Sequence, residues 1–149
     1  MTETDIAAVA ALMRALSDEF ILHDASSDAA AAFVHENDEQ GIRAFLGAGM
    51  AYYVAEQDQN IAGFIAIGDN KHIFHMFVGK AYHRQGIAKA LWAVARQAAL
   101  DAGNPGQFTV NASNYALPVY QAMGFVRTAP VQSKNGIFYN PMQLGGVAA

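Results

Sequence analysis

Six consecutive residues, His83-Arg84-Gln85-Gly86-Ile87-Ala88, lie between an apolar run ending at Val78 and a long alanine-rich stretch. A helix starting here leaves its first backbone N–H groups without intrahelical partners and points the positive end of its dipole at the same spot. Such a spot binds phosphate-like anions. Gly86 has no Cβ, so a ligand can approach the backbone closely. No Asp or Glu falls in the first helical turn, where a carboxylate would be stabilising, so the anion is one supplied from outside. The same strand–loop–helix joint is also ordinary α/β construction, and the local residues leave both readings open. No Lys-Ser or Lys-Thr follows Gly86, as a nucleoside-triphosphate loop would require, and the glycine spacing does not fit a dinucleotide fingerprint. The chain has no cysteine, which excludes disulfides, zinc–thiolate sites and thiol nucleophiles. Its histidines show no ligand spacing, so no metal is expected.

The elements around the joint follow from periodicity. Ile6, Val9, Leu12, Met13 and Leu16 recur at helical spacing, which predicts a helix over residues 3–18. Short helices follow over 29–34 and 39–46, the second stopped by Gly47 and Gly49. The period then changes. Residues 51–56, 61–67 and 72–78 are β-rich runs separated by the polar clusters 57–60 and 68–71, which predicts an antiparallel meander. A helix over 85–102 buries Ile87, Leu91, Val94, Ala95 and Ala98, and Gly103-Asn104-Pro105-Gly106 ends it. A strand over 107–111 and a helix over 115–123 follow. The strands 125–131 and 137–144 close the chain, joined by a turn at Lys134-Asn135-Gly136. The order predicts one α/β domain over residues 1–149 with a mixed sheet.

Composition bounds the function. The 149 residues are 53% hydrophobic and 15% charged, enough for a sizeable core. A net charge of −4 argues against broad nucleic-acid binding. No apolar run is long enough for a membrane span. The opening MTETDIAAVA lacks a basic segment, so no secretory signal is expected, and a cytoplasmic location fits.

A second segment, Phe108 to Phe125 (FTVNASNYALPVYQAMGF), makes the first one specific. Together the two resemble the GNAT superfamily of acetyl-CoA-dependent N-acetyltransferases. The family's pyrophosphate loop, Gln/Arg-x-x-Gly-x-Gly/Ala, aligns with His83 through Ala88. Its later pattern, Asn-x-x-Ala-x-x-x-Tyr-x-x-x-Gly-Phe, places Ala116, Tyr120, Gly124 and Phe125. The resemblance runs from about Ala51 onward in matching element order. It implies a mixed, mostly antiparallel central sheet of about six to seven strands flanked by helices. Two positions depart from the pattern: His83 stands for Gln or Arg, and Ser113 for the usual Asn, with Asn111 and Asn114 on either side.

The resemblance also implies roles. The pantetheine arm of acetyl-CoA pairs with the strand before the loop, here the backbone of Met76, Phe77 and Val78, as an added strand would. The pyrophosphate meets the N–H groups of the loop and helix start: His83, Arg84, Gln85, Gly86, Ile87, Ala88 and Lys89. Arg84 and Lys89 add charge, although Lys89 is equally a solvated helix residue. Asn111 is the substitute for the missing Asn contact. Tyr120 is the acid that protonates the departing thiolate; its other reading is an aromatic packed beside Val119 and Met123. His72 is the candidate base, with His75 and Glu56 as alternatives. Strand alternation puts His72 and His75 on opposite faces unless a bulge intervenes.

The acceptor is an unidentified amine of a small molecule or protein. The N-terminal third, with Phe20, His23, Asp24, Phe33, His35, Glu36, Asp38 and Glu39, is expected to shape its site, joined by Tyr52, Tyr53, Phe138 and Tyr139. Carboxylates there would favour a cationic amine; they fit a solvated face equally well. The implied mechanism is direct attack in a ternary complex, and the alternative is a catalytically weak CoA-binding module. A homodimer through residues 137–144 is the assembly implied by analogy.

Overall fold

The computed structural model describes residues 1–20, 27–83, 85–134 and 137–145. His23, Asp24, Arg84, Asn135 and Gly136 lie outside the described residues, as do the side chains of Phe20 and Glu36.

Three helices precede the sheet: α1 (Ile6–Phe20), after a 3-10 turn at Glu3–Asp5, then α2 (Ser27–Glu36) and α3 (Glu39–Gly47). Asp38 caps α3 by accepting from the Gly41 N–H at 2.9 Å. The meander is β1 (Ala51–Gln57), β2 (Asn60–Gly68) and β3 (His72–Val78), antiparallel throughout. After it come α4 (Ile87–Asp101), β4 (Phe108–Ala112), α5 (Leu117–Ala122), β5 (Val126–Arg127), β6 (Gln132–Lys134) and β7 (Ile137–Leu144). The sheet runs β1-β2-β3-β4-β7-β5, with β6 also on β7, and only β3–β4 is parallel. It is the mixed, mostly antiparallel, helix-flanked sheet expected, with seven strands.

Three local expectations change. The strand expected over 125–131 shrinks to β5, and β6 forms beyond it at Gln132–Lys134; Pro130, which has no N–H to give a ladder, lies in the break between them. On α4 the buried residues are Leu91, Trp92, Ala95 and Ala99, while Val94 is 54% exposed. The stripe turns toward Trp92 because its ring packs edge-on against Phe108 at 4.8 Å and against Phe125 at 5.5 Å. Finally, β7 is an inner strand, with β4 on one edge and β5 and β6 on the other. Its first three residues, Ile137–Tyr139, pair with β6 alone, so their other edge has no strand partner among the described residues.

Two cores lie on opposite sheet faces. Ile65, Ile67, Ile73, Val110 and Met142 pack under α4. Phe64, Ala66 and Tyr52 pack against α1 and α3 through Ile6, Val9, Met13 and Ile42. No helix among the described residues is long and apolar enough to cross a membrane.

Candidate active site

The site is a gap between two parallel strands. β3 and β4 pair only at His72–Thr109 and Ile73–Val110. Beyond these, β3 follows β2 to Val78 and β4 follows β7 to Ala112, so the two strands part. Their joined end is fastened. The Asn104 side chain donates to the Asn70 carbonyl at 2.6 Å and the Gln107 carbonyl at 2.9 Å, and accepts from the Gly106 and Gln107 N–H groups. The open end, toward the carboxyl termini of both strands, holds a cavity of about 990 Å³. That is where ligands enter sheets with parallel neighbours, and the volume suits a sizeable ligand.

One side of this cavity is made of backbone. Gly86 is the N-cap of α4 with φ of 77°, a left-handed conformation that favours glycine, and no side chain caps the helix. The first intrahelical bond runs from the Ala90 N–H to the Gly86 carbonyl, so the earlier N–H groups are free of the helix ladder. A Cβ built at Gly86 would meet nothing within 4 Å. His83, Gly86, Ile87, Ala88 and Lys89 all line the cavity; Gln85 is exposed and is not among the lining residues. A cradle with open space before it and uncapped donors around it fits an anionic group carried by a ligand.

His83 is not aimed at an anion in this arrangement. Its Nε2 lies 2.8 Å from the Val78 carbonyl. A carbonyl only accepts, so Nε2 carries the proton. The side chain thus ties the end of β3 to the loop, and the Val78 carbonyl is already engaged. Met76, Phe77 and Val78 line the cavity, and no β4 partner covers them.

Opposite stand the residues of the second segment. Asn111 lines the cavity from β4. Ser113 also lines it, but its hydroxyl accepts from the Ala116 N–H at 3.1 Å and so braces the turn into α5. Tyr120 lines the cavity, is 3% exposed, and packs edge-on against Phe125 at 5.6 Å. Burial pushes its phenol above the ordinary value, so it keeps its proton throughout the neutral range.

Both histidines of β3 face one way because a bulge does intervene. Ala66 pairs with His75 while Ile67 pairs with Ile73, which makes Phe74 an extra residue and reverses the alternation. Only His75 reaches the cavity lining. His72 sits at the joined end, its Nδ1 2.7 Å from the Thr109 hydroxyl. The bulge thus brings the two histidines to one face, but the strand rise keeps His72 away from the open end. Burial, and then His72, push the His75 imidazole down to about 4, so it is neutral near pH 7. Glu56 is not among the lining residues.

Of the residues expected at the acceptor side, Phe33, Phe138 and Tyr139 line the cavity. Tyr52 is buried in the α1 core, Tyr53 packs against the α4 core, Asp38 caps α3, and His35 faces Asp38 at 3.5 Å. None of these four, nor Glu39, is among the lining residues.

Asn140 went unnoticed in the sequence. It is fully buried on β7 and donates to the Ala112 carbonyl at 3.1 Å and to the Asn114 side-chain oxygen at 2.8 Å. It pins the end of β4 where the strands part. Its signal was an Asn before Pro141 at a position where strand alternation calls for an apolar residue.

Comparison with known proteins agrees with this geometry. The sequence model of the family described as "Acetyltransferase (GNAT) domain" matches residues 21–145. Human N-acetyltransferase 8 is 33% identical over 93 residues, which are 54% of this chain and 40% of that protein; the match therefore spans well under half of that relative. A GCN5-related N-acetyltransferase structure from Rhodopseudomonas palustris superposes with a TM-score of 0.81 at 23% identity, covering 96% of this chain and 91% of the other. The PaiA N-acetyltransferase of Thermoplasma acidophilum, solved in complex with coenzyme A, gives 0.76 at 14% identity, covering 96% and 94%.

Proposed function

Because this chain belongs to the GNAT acetyltransferase family, we propose that it moves an acetyl group from acetyl-CoA to a primary amine by direct attack in a ternary complex. The observation that carries the reading is the uncapped start of α4 at Gly86, opening on the same cavity as Tyr120 and the unpaired end of β3.

Bound acetyl-CoA supplies a thioester, an acyl group already activated toward amines. The chain's residues do the rest. The N–H groups from Gly86 to Lys89 hold the pyrophosphate, and the Lys89 ammonium adds charge at that end. The parted edge of β3 at Met76 and Phe77 receives the pantetheine amides, with Asn111 opposite. The His83 clamp fixes the last residue of that edge. As the amine nitrogen bonds to the acetyl carbon, the carbon–sulfur bond breaks and its electron pair stays on sulfur. Tyr120, protonated and buried, donates its hydrogen bond and then its proton to that sulfur. The amine loses one proton in the same exchange. His75, neutral in the cavity lining, accepts a hydrogen bond from the amine; the amine proton leaves to solvent in the cavity mouth, and a proton from that solvent restores the Tyr120 phenol. His72 has no part in this, since it lies outside the cavity lining.

The test is calorimetry with acetyl-CoA, CoA and dephospho-CoA, followed by turnover with a mixed amine set. One site per chain and amine-dependent release of free thiol support the reading. Binding without thiol release points to a CoA-binding module, and no binding ends the proposal.

A further inference from the structure

We infer that the amine acceptor is carried on an apolar group of aromatic size, which packs among Phe33, Phe74, Phe77 and Phe138. This rests on the acetyl transfer proposed above and names its substrate class.

The four rings line the same cavity as Gly86, and they come from three separate elements: α2, β3 and β7. Two are incompletely covered by the protein: Phe74 is 45% and Phe138 44% exposed. Single exposed rings are common on protein surfaces; two in the lining of one cavity are apolar surface that a ligand would dehydrate. Phe74 is held in that position by the backbone. It is the extra residue of the bulge, and its ring lies over Gly68, where a Cβ would come within 2.6 Å of Cε2. Its ring meets His72 edge-on at 4.7 Å, and three other rings form a separate ladder. Phe33 meets His75 edge-on at 6.1 Å, and His75 stacks on Phe77 at 5.9 Å. These separations are those at which aromatic pairs attract, so a further ring from a ligand extends an existing stack. His75 is the polar side chain within this ladder, and as a neutral imidazole it accepts a hydrogen bond from an uncharged amine and offers no counter-charge to an ammonium. The arrangement therefore separates tasks: rings hold the apolar body, and one imidazole orients the nitrogen.

The experiment is a specificity comparison on the full chain with saturating acetyl-CoA. Product is measured by mass for 2-phenylethylamine and 4-phenylbutylamine against ethanolamine and spermidine. The expected result is a kcat/KM for the phenyl amines roughly a hundredfold above that for ethanolamine, an apolar ring burial worth about two decades. Phe33→Ala and Phe138→Ala should each raise the KM for 2-phenylethylamine by roughly tenfold, within the range for one lost ring contact. Calorimetry with acetyl-CoA on the same variants verifies that they are folded and that the cofactor side is intact. Since Phe138 is part-exposed, its variant keeps the test valid if Phe33→Ala fails to fold. Turnover that favours ethanolamine or spermidine overturns this inference and leaves the acetyl transfer standing. So does a KM unchanged in both variants. A Phe138→Ala change that only converts a dimer to a monomer in sedimentation assigns the rings to a self-interface and overturns it too. Acetyl-CoA binding with no amine acetylated overturns the transfer reading, and this inference with it.

Discussion

The two halves of the cavity are built from different materials. The half at the start of α4 is made of backbone: uncapped N–H groups, a glycine in a left-handed conformation, and a strand edge without a partner. The part proposed to hold the acceptor is made of side chains from helices and strands far apart in sequence, with Phe33 and Phe138 separated by more than a hundred positions. In the function proposed above, backbone construction serves what every substrate pair would share, the anionic and amide groups of acetyl-CoA. Side-chain construction can change without disturbing the fold. A site that keeps one ligand constant and lets the other vary is served by that division.

The sharpest way to break the comparison is Gly86→Glu. The new side chain adds a carboxylate where the helix dipole calls for an external anion, and it fills the open approach. Acetyl-CoA affinity should fall by at least about a hundredfold, equal to roughly 3 kcal/mol or more. A Cβ here meets nothing within 4 Å, so the fold survives apart from about 1 kcal/mol of left-handed strain. Calorimetry and a thermal melt on the same sample separate the two effects. Unchanged binding in a folded variant would move the anion site elsewhere.

Tyr120→Phe probes the boundary between the halves. It removes a hydroxyl and keeps the ring that packs on Phe125. We expect kcat to drop by about a hundredfold, the usual worth of a positioned acid, while acetyl-CoA affinity stays within about twofold. If kcat holds, the tyrosine is a core residue and nothing more.

This difference in material also explains what the sequence disclosed. The backbone half is local: six residues of loop, then a helix, with the donors set by chain geometry alone, so Gly86 to Lys89 could be named without a structure. The meander and its turns were equally local, because alternation and polar clusters mark them. The rest depended on events at a distance. The Phe74 bulge is specified by pairing with β2 and by Gly68 beneath its ring, and nothing in the run IFHMFV announces it. Without it His72 and His75 divide between faces. With it they share one, and distance along the strand decides which reaches the cavity. The α4 stripe shifted toward Trp92 for a related reason, since a single large ring found partners on β4 and after α5. Asn140 is visible only as a break in apolar alternation, and its two bonds join segments 26 and 28 residues away.

A smaller effect sharpens the acceptor half. His75 is held neutral in the folded chain, with its imidazole near 4 against an ordinary 6.5. Between these values the unfolded chain binds a proton that the folded chain refuses, so stability rises with pH. The contribution is complete above about 6.5 and is lost as pH falls toward 4. A shift of this size corresponds to at most about 3 kcal/mol, which water in the cavity reduces to roughly 1–2 kcal/mol. His75→Phe keeps a ring in the ladder and removes the titration. Its melting temperature should therefore decline less than that of the parent between pH 6.5 and 4.5. Parallel declines would mean that the imidazole is as solvated in the fold as in the open chain.

The smallest expected effect belongs to His72, and it separates the two histidines most cleanly. His72→Ala loses the 2.7 Å contact with Thr109 at the joined end of the strands, a cost of about 1 kcal/mol in stability. Its imidazole is also lowered, by burial and then by Lys71, but the group titrates outside the cavity lining. A base that cannot reach the amine leaves no mark on the rate. The pH–rate profile of His72→Ala should match that of the parent in shape, with kcat within about twofold, because proton transfer requires hydrogen-bond reach. A profile that loses its acidic limb in His72→Ala and keeps it in His75→Phe would reverse the assignment. It would require the strands to close past the Ile73–Val110 pair when both substrates are bound, bringing the joined end into the reaction.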